Sequence, residues 1–109
     1  MKYTSFISDS ILGIKIEGDL LGAENCLDMI EDINSAINTE NLYAVMDMSG
    51  VRYMNSSGIG LLVTIYTKYK GKSGNFAIIN PTEQVTKLLT MTKLNTLIKT
   101  VLKSEDVKN

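Results

Sequence analysis

Apolar and polar positions along the chain switch repeatedly between two periods. Tyr3 to Ser8 and Ile11 to Glu17 alternate every second residue, with Ile14 and Ile16 set against Lys15 and Glu17. Two short strands joined through polar Asp9-Ser10 as a hairpin are expected. Gly18-Asp19-Leu20-Leu21-Gly22 then breaks the alternation as a loop. From Ala23 to about Asn38, Leu27, Ile30, Ile33 and Ile37 recur three or four apart, while Glu24, Asp28, Glu31 and Asp32 turn mostly outward. This is an amphipathic helix with acids near its start, where the dipole favours them. Leu42 to Met48 is almost continuously apolar and fits a central strand buried on both faces.

The second half repeats the scheme. Ile59, Leu62, Val63 and Tyr66 share one helical face, which predicts a helix from Ser57 to about Lys70, ended by Gly71 or Gly74. Lys68, Lys70 and Lys72 complement its negative pole. Asn75 to Ile79 is a further strand, and Asn80-Pro81-Thr82-Glu83 reads as a cap followed by Pro and an acid in the first turn. Val85, Leu88 and Leu89 line the buried side of that third helix. Leu97 to Leu102 fits a last strand or a final helical turn, and residues 103–109 read as a flexible polar tail. The order β-β-α-β-α-β-α-(β) describes an α/β fold, a mixed sheet of four to five strands with helices packed on it. Loops at strand ends gather on one rim of such a sheet, so Asp19 and Asn55-Ser56-Ser57 are expected there together.

Composition removes several classes of function. A chain of 109 residues supports one domain, residues 1–109. Eleven basic against twelve acidic residues leave a net charge of −1, without the basic footprint of a nucleic-acid binder. Histidine is absent, which excludes Ser-His-Asp and Cys-His nucleophiles and His-ligated metals within the chain. Cys26 stands alone, so no internal disulfide or Cys-type zinc site can form, and it reads as a small buried residue. Asp28 with Glu31 or Asp32 shares one helix side but reads as a solvated face, so no metal is expected. Apolar runs such as Ile59 to Val63 fall far short of the roughly 20 residues of a membrane span, and Met1 to Phe6 lacks a signal-peptide core. A cytoplasmic protein is expected.

Nucleotide loops fail on spacing. Gly71-Lys72-Ser73 has Tyr66 where a Walker sequence needs glycine, and Gly58-Ile59-Gly60 has Val63 where the dinucleotide fingerprint needs its third. What remains is the helix start at Ser56-Ser57-Gly58. A hydroxyl there caps the helix, through Ser56 or Ser57, or meets an anion at the positive pole.

The run Val45-Met46-Asp47-Met48-Ser49-Gly50-Val51-Arg52-Tyr53-Met54-Asn55-Ser56-Ser57-Gly58-Ile59-Gly60-Leu61-Leu62 resembles the signature of the STAS domain family, whose best-known members are bacterial anti-sigma factor antagonists. Gly18-Asp19-Leu20 is similar to that family's Gly-Glu-Leu-Asp loop, and Met91-Thr92-Lys93-Leu94 extends the likeness toward the end. The resemblance implies a regulatory binding protein without catalysis or cofactor. It implies phosphorylation at Ser56 by a serine kinase that is also an anti-sigma factor, reversed by a serine phosphatase. Partner contacts would fall on Asp19, Asn55, Ser56, Ser57, Gly58 and Ile59. Two positions depart from the pattern, Asn55 where many antagonists have Asp and Leu21 where a second acid is common. Two other readings stay open at this point. One is a STAS module built permanently into a transport or signalling assembly, and the other a small-ligand or nucleotide domain that uses the helix tip at Ser56 to Gly58.

Overall fold

A computed structural model describes residues 1–21 and 26–109. Strands β1 (Lys2–Ser8), β2 (Ile11–Glu17), β3 (Tyr43–Gly50), β4 (Asn75–Ile79) and β5 (Lys99–Val101) form one sheet in sequence order. β1 and β2 are antiparallel, and β2 through β5 are mutually parallel. Helices α1 (Cys26–Asn38), α2 (Ser56–Lys70) and α3 (Glu83–Met91) make the crossovers. Right-handed crossovers that each advance one strand in the same direction fall on the same side of the sheet. All three helices accordingly pack on one face, over Leu12, Ile14, Ile16, Ala44, Met46, Met48, Phe76 and Ile78.

The opposite face would be bare but for the C-terminus. Residues 103–109 are not a free tail: Ser104–Lys108 forms a 3-10 turn that lays Val107, 1% exposed, on Ile11, Val45 and Ala77. Asn75 Nδ2 donates to the Val107 carbonyl at 3.2 Å, and Lys108 Nζ donates to the Asp9 carbonyl at 2.8 Å while lying over the Tyr43 ring. The polar composition of the segment hides this role, because a single valine does the covering. Leu97 to Leu102 resolves into β5, preceded by a 3-10 turn at Leu94–Thr96.

Three helical details differ from expectation. In α1 the buried stripe is Cys26, Met29, Ile33 and Ala36, and Leu27 is exposed. Cys26 is buried as its composition suggested, whereas a pattern weighted toward Leu and Ile misses Met29 and the small Ala36. The start expected at Ala23, with the acid Glu24, lies outside the described residues. In α2 the buried face is Gly58, Leu62, Ile65 and Tyr69, flanked by half-buried Ile59, Val63 and Tyr66. In α3 the cap is Thr82, whose hydroxyl accepts from the Val85 N–H at 3.2 Å. Asn80 does not cap it; its backbone is left-handed at φ 53°, and its amide reaches Asp47 at 3.4 Å.

Tyr69 is wholly buried, and its hydroxyl finds no partner among the described residues. Burial raises its pKa from 10.0 to about 12. An orphaned buried hydroxyl costs about 1–3 kcal/mol, so Tyr69→Phe is expected to raise stability at neutral pH by about 1 kcal/mol in urea unfolding. Between pH 10 and about 12 the unfolded chain releases this proton and the folded chain retains it. Stability therefore falls as pH rises through that window. The fall should be shallower in Tyr69→Phe, with a remainder from Tyr3, which is likewise raised to about 12 by burial and by its hydrogen bond to Asp32.

Candidate functional site

The candidate site is built where β2 and β3 end. Val51 and Met54 are buried and peg the loop after β3 to the core, which leaves Arg52 and Tyr53 outside. Leu20, also buried, extends the parallel ladder by one bridge to Met54. The Leu20 N–H donates to the Tyr53 carbonyl at 3.0 Å, and the Asn55 N–H to the Leu20 carbonyl at 3.3 Å. One residue upstream of Leu20, Asp19 is exposed. The expected shared rim is therefore present, with Asp19 stitched beside the start of α2. On the other side, Thr82 Oγ1 donates to the Val51 carbonyl at 2.8 Å and ties the same loop to α3.

The cap of α2 is Asn55, not either serine. Its backbone is extended at φ −92° and ψ −177°, and its Oδ1 accepts from the Gly58 N–H at 2.9 Å. Asn satisfies this cap as well as Asp or Ser does. Ser56 and Ser57 consequently occupy the first two helical positions, both exposed, and among the described residues neither hydroxyl has a hydrogen-bond partner. Gly58 is buried against the Leu20 carbonyl, where a Cβ would collide with backbone, and Ile59 is half-buried at the flank. Helix and loop thus meet at a glycine, and the serine at the tip stays in solvent.

Two exposed apolar side chains also flank this rim, Leu21 and Tyr53. The sequence registered Leu21 only as a missing acid, and an apolar residue next to Leu20, which is buried, carries no signal of its own exposure. Asp47, at the end of β3, accepts from the Ser49 N–H at 2.9 Å. Partial burial pushes its carboxyl up, but the hydrogen bonds from Ser49 and Asn80 and the Lys15 ammonium outweigh that and leave it below the usual value. No group of three or more His, Cys, Asp or Glu among the described residues could hold a metal ion, and no helix there is long and apolar enough to cross a membrane. Cys26 is buried, which raises its thiol pKa.

The family model of the STAS domain matches residues 6–107. The chain belongs to the STAS domain family. Solved structures sharing the STAS fold include a Thermotoga maritima protein assigned as an anti-sigma factor antagonist, with a TM-score of 0.82 and 21% identity over 95% of this chain and 89% of that one. The anti-sigma factor antagonist SpoIIAA in its unphosphorylated form gives 0.76 and 18%, covering 97% of this chain and 93% of that one. Bacillus SpoIIAA in its phosphorylated form gives 0.70 and 17%, over 97% and 96%. At these identities the likeness carries the fold, which is the five-stranded mixed sheet with three helices described above.

Proposed function

We propose that this STAS protein is an anti-sigma factor antagonist in a partner-switching pathway, controlled by phosphorylation of Ser56. The observation that carries the reading is the Ser56 hydroxyl, exposed and unengaged at the first position of α2 because Asn55 takes the cap. Unphosphorylated, the rim formed by Asp19, Asn55, Ser56, Ser57, Gly58 and Ile59 docks on an anti-sigma factor that is also a serine kinase. Asp19 there pairs with a basic side chain of that partner. Phosphorylation adds about −1.5 to −2 charge, which the positive pole of the helix accommodates without refolding. The same group blocks docking by its volume and by the cost of desolvating it unpaired. A serine phosphatase restores the binding form, and the protein itself performs no catalysis.

Native protein recovered from its cell is expected to carry one phosphate, mapped by mass spectrometry to Ser56 and removed by phosphatase. Affinity capture with the unphosphorylated chain is expected to retain an ATP-binding serine kinase. A Ser56 that stays unmodified in every growth condition, together with capture of a stable assembly lacking such a kinase, identifies a permanent structural module instead.

A further inference from the structure

β1 forms one edge of the sheet, and six of its seven residues are exposed. Proteins usually protect such an edge with prolines, bulges, repeated charges or shortness. β1 carries one charge, Lys2 at its start, and pairs with β2 without interruption from Lys2↔Glu17 to Ser8↔Ile11. The opposite edge, β5, has only three residues.

The hairpin geometry shows which groups of this edge are unused. Asp9 and Ser10 both have positive φ, 54° and 63°, the signature of a two-residue type I′ turn. Such a turn makes Ser8↔Ile11 a hydrogen-bonded pair, and such pairs alternate along an antiparallel ladder. Lys2, Thr4, Phe6 and Ser8 therefore bond inward to β2, while Tyr3, Ser5 and Ile7 direct their N–H and C=O groups away from it, with no backbone partner among the described residues.

We propose that two copies of this chain associate by antiparallel pairing of their β1 strands about a two-fold axis at Ser5. Ser5 is the middle of the three outward residues, so an axis there uses all of them, making about six backbone hydrogen bonds. An axis at Thr4 or Phe6 would oppose inward-bonding residues, and one at Tyr3 or Ile7 would leave much of the strand unpaired. At Ser5 the side chains also match. On the α1 face, Tyr3 lies opposite Ile7 of the second copy, beside an open groove of about 380 Å³ that wraps the β1 edge, with Phe6, Ile7, Leu12, Asp32 and Ala36 in its lining. On the other face, Phe6, 64% exposed, lies opposite Thr4 of the second copy. Aromatic with β-branched pairs are favourable across antiparallel strands. Lys2 falls opposite Ser8 of the second copy, next to its Asp9, whose carboxylate is 82% exposed and already lies 3.5 Å from Lys108 Nζ of its own chain, so Lys2 meets no unpaired acid there and adds little. No like charges face each other within the strands.

One feature opposes the pairing and makes it recognisable. Asp28, Glu31 and Asp32 of α1 all lie close enough to Tyr3 to raise its pKa, so the two-fold brings two sets of carboxylates toward each other. Salt screens that repulsion, and association should strengthen as salt is added.

Sedimentation equilibrium of the full chain tests this. The average mass is expected to climb from 12.0 kDa toward twice that value with concentration, and further at about 0.5 M salt than at low salt. Ser5→Pro removes an outward N–H without touching the inward ladder, a position that edge strands tolerate. It should weaken association at least about tenfold at unchanged far-UV circular dichroism, and Ser5→Lys serves as a second variant of the same kind. Ser5→Cys should oxidise rapidly to a covalent dimer, since residues paired in this way have Cα atoms about 5.5 Å apart. Ile7→Cys, opposite Tyr3, should not, nor should wild type with Cys26 buried. A chain that stays monomeric at every concentration and salt level overturns the proposal. So does association untouched by Ser5→Pro and Ser5→Lys, weakening by salt, or cross-linking of Ile7→Cys as fast as Ser5→Cys.

Discussion

Ser56→Asp is expected to weaken binding to the proposed anti-sigma factor kinase by about a hundredfold, or 2–3 kcal/mol, while Ser56→Ala binds as wild type. A carboxylate at this position projects from an exposed first helical residue, so nothing inside the domain opposes it. Acids in the first turn of a helix are favoured by about 0.3–1 kcal/mol, and the melting temperature should hold or rise slightly. Binding suffers because a docked partner strips water from the new charge, and neighbouring Asp19 supplies no countercharge. Titration calorimetry with the captured kinase reads the difference directly. Equal affinities for Ser56→Asp and wild type would remove the switch from this serine, whatever the fold does.

Gly58→Ala is the change expected to damage the site through the fold. An alanine Cβ there would meet the Leu20 carbonyl well inside van der Waals contact. That carbonyl has little freedom to yield, since Leu20 is buried and bonds through its amide to Tyr53 and through its oxygen to Asn55. The loss should be about 2–4 kcal/mol, a fall in melting temperature on the order of 10 °C or more. Gly60→Ala, two residues along the same helix, is the control. Its Cβ would meet nothing within 4 Å, so replacing a helical glycine there should add about 1 kcal/mol. Urea unfolding of both variants measures the contrast, and equal effects would show that the α2–loop contact is not what Gly58 serves.

Much of the fold was legible because local pattern and tertiary role coincide. Alternation in Ile11 to Glu17 marks a strand with one face on the helices, and the near-continuous apolar run before Asp47 marks a strand covered on both sides. The cap assignments were less legible. Asn55, Ser56, Ser57, Asn80 and Thr82 are all competent cap residues, and which one serves depends on where the preceding loop is pinned. Val51 and Met54 hold one loop so that Asn55 reaches Gly58, and Thr82 is held by the Val51 carbonyl.

By itself, then, the sequence determined the order of strands and helices as far as the third helix, the absence of histidine chemistry, and a serine at the start of the second long helix, all properties of residue type and local period. Only the tertiary structure decided that this serine is left open rather than spent as a cap, which backbone bonds hold the loop of Asp19 on the rim the strand order had suggested, and that Val107 closes the second face of the sheet. Those three outcomes depend on contacts between segments 30 to 100 residues apart in sequence, such as Asn75 with Val107 and Lys108 with Asp9, and no local period encodes them.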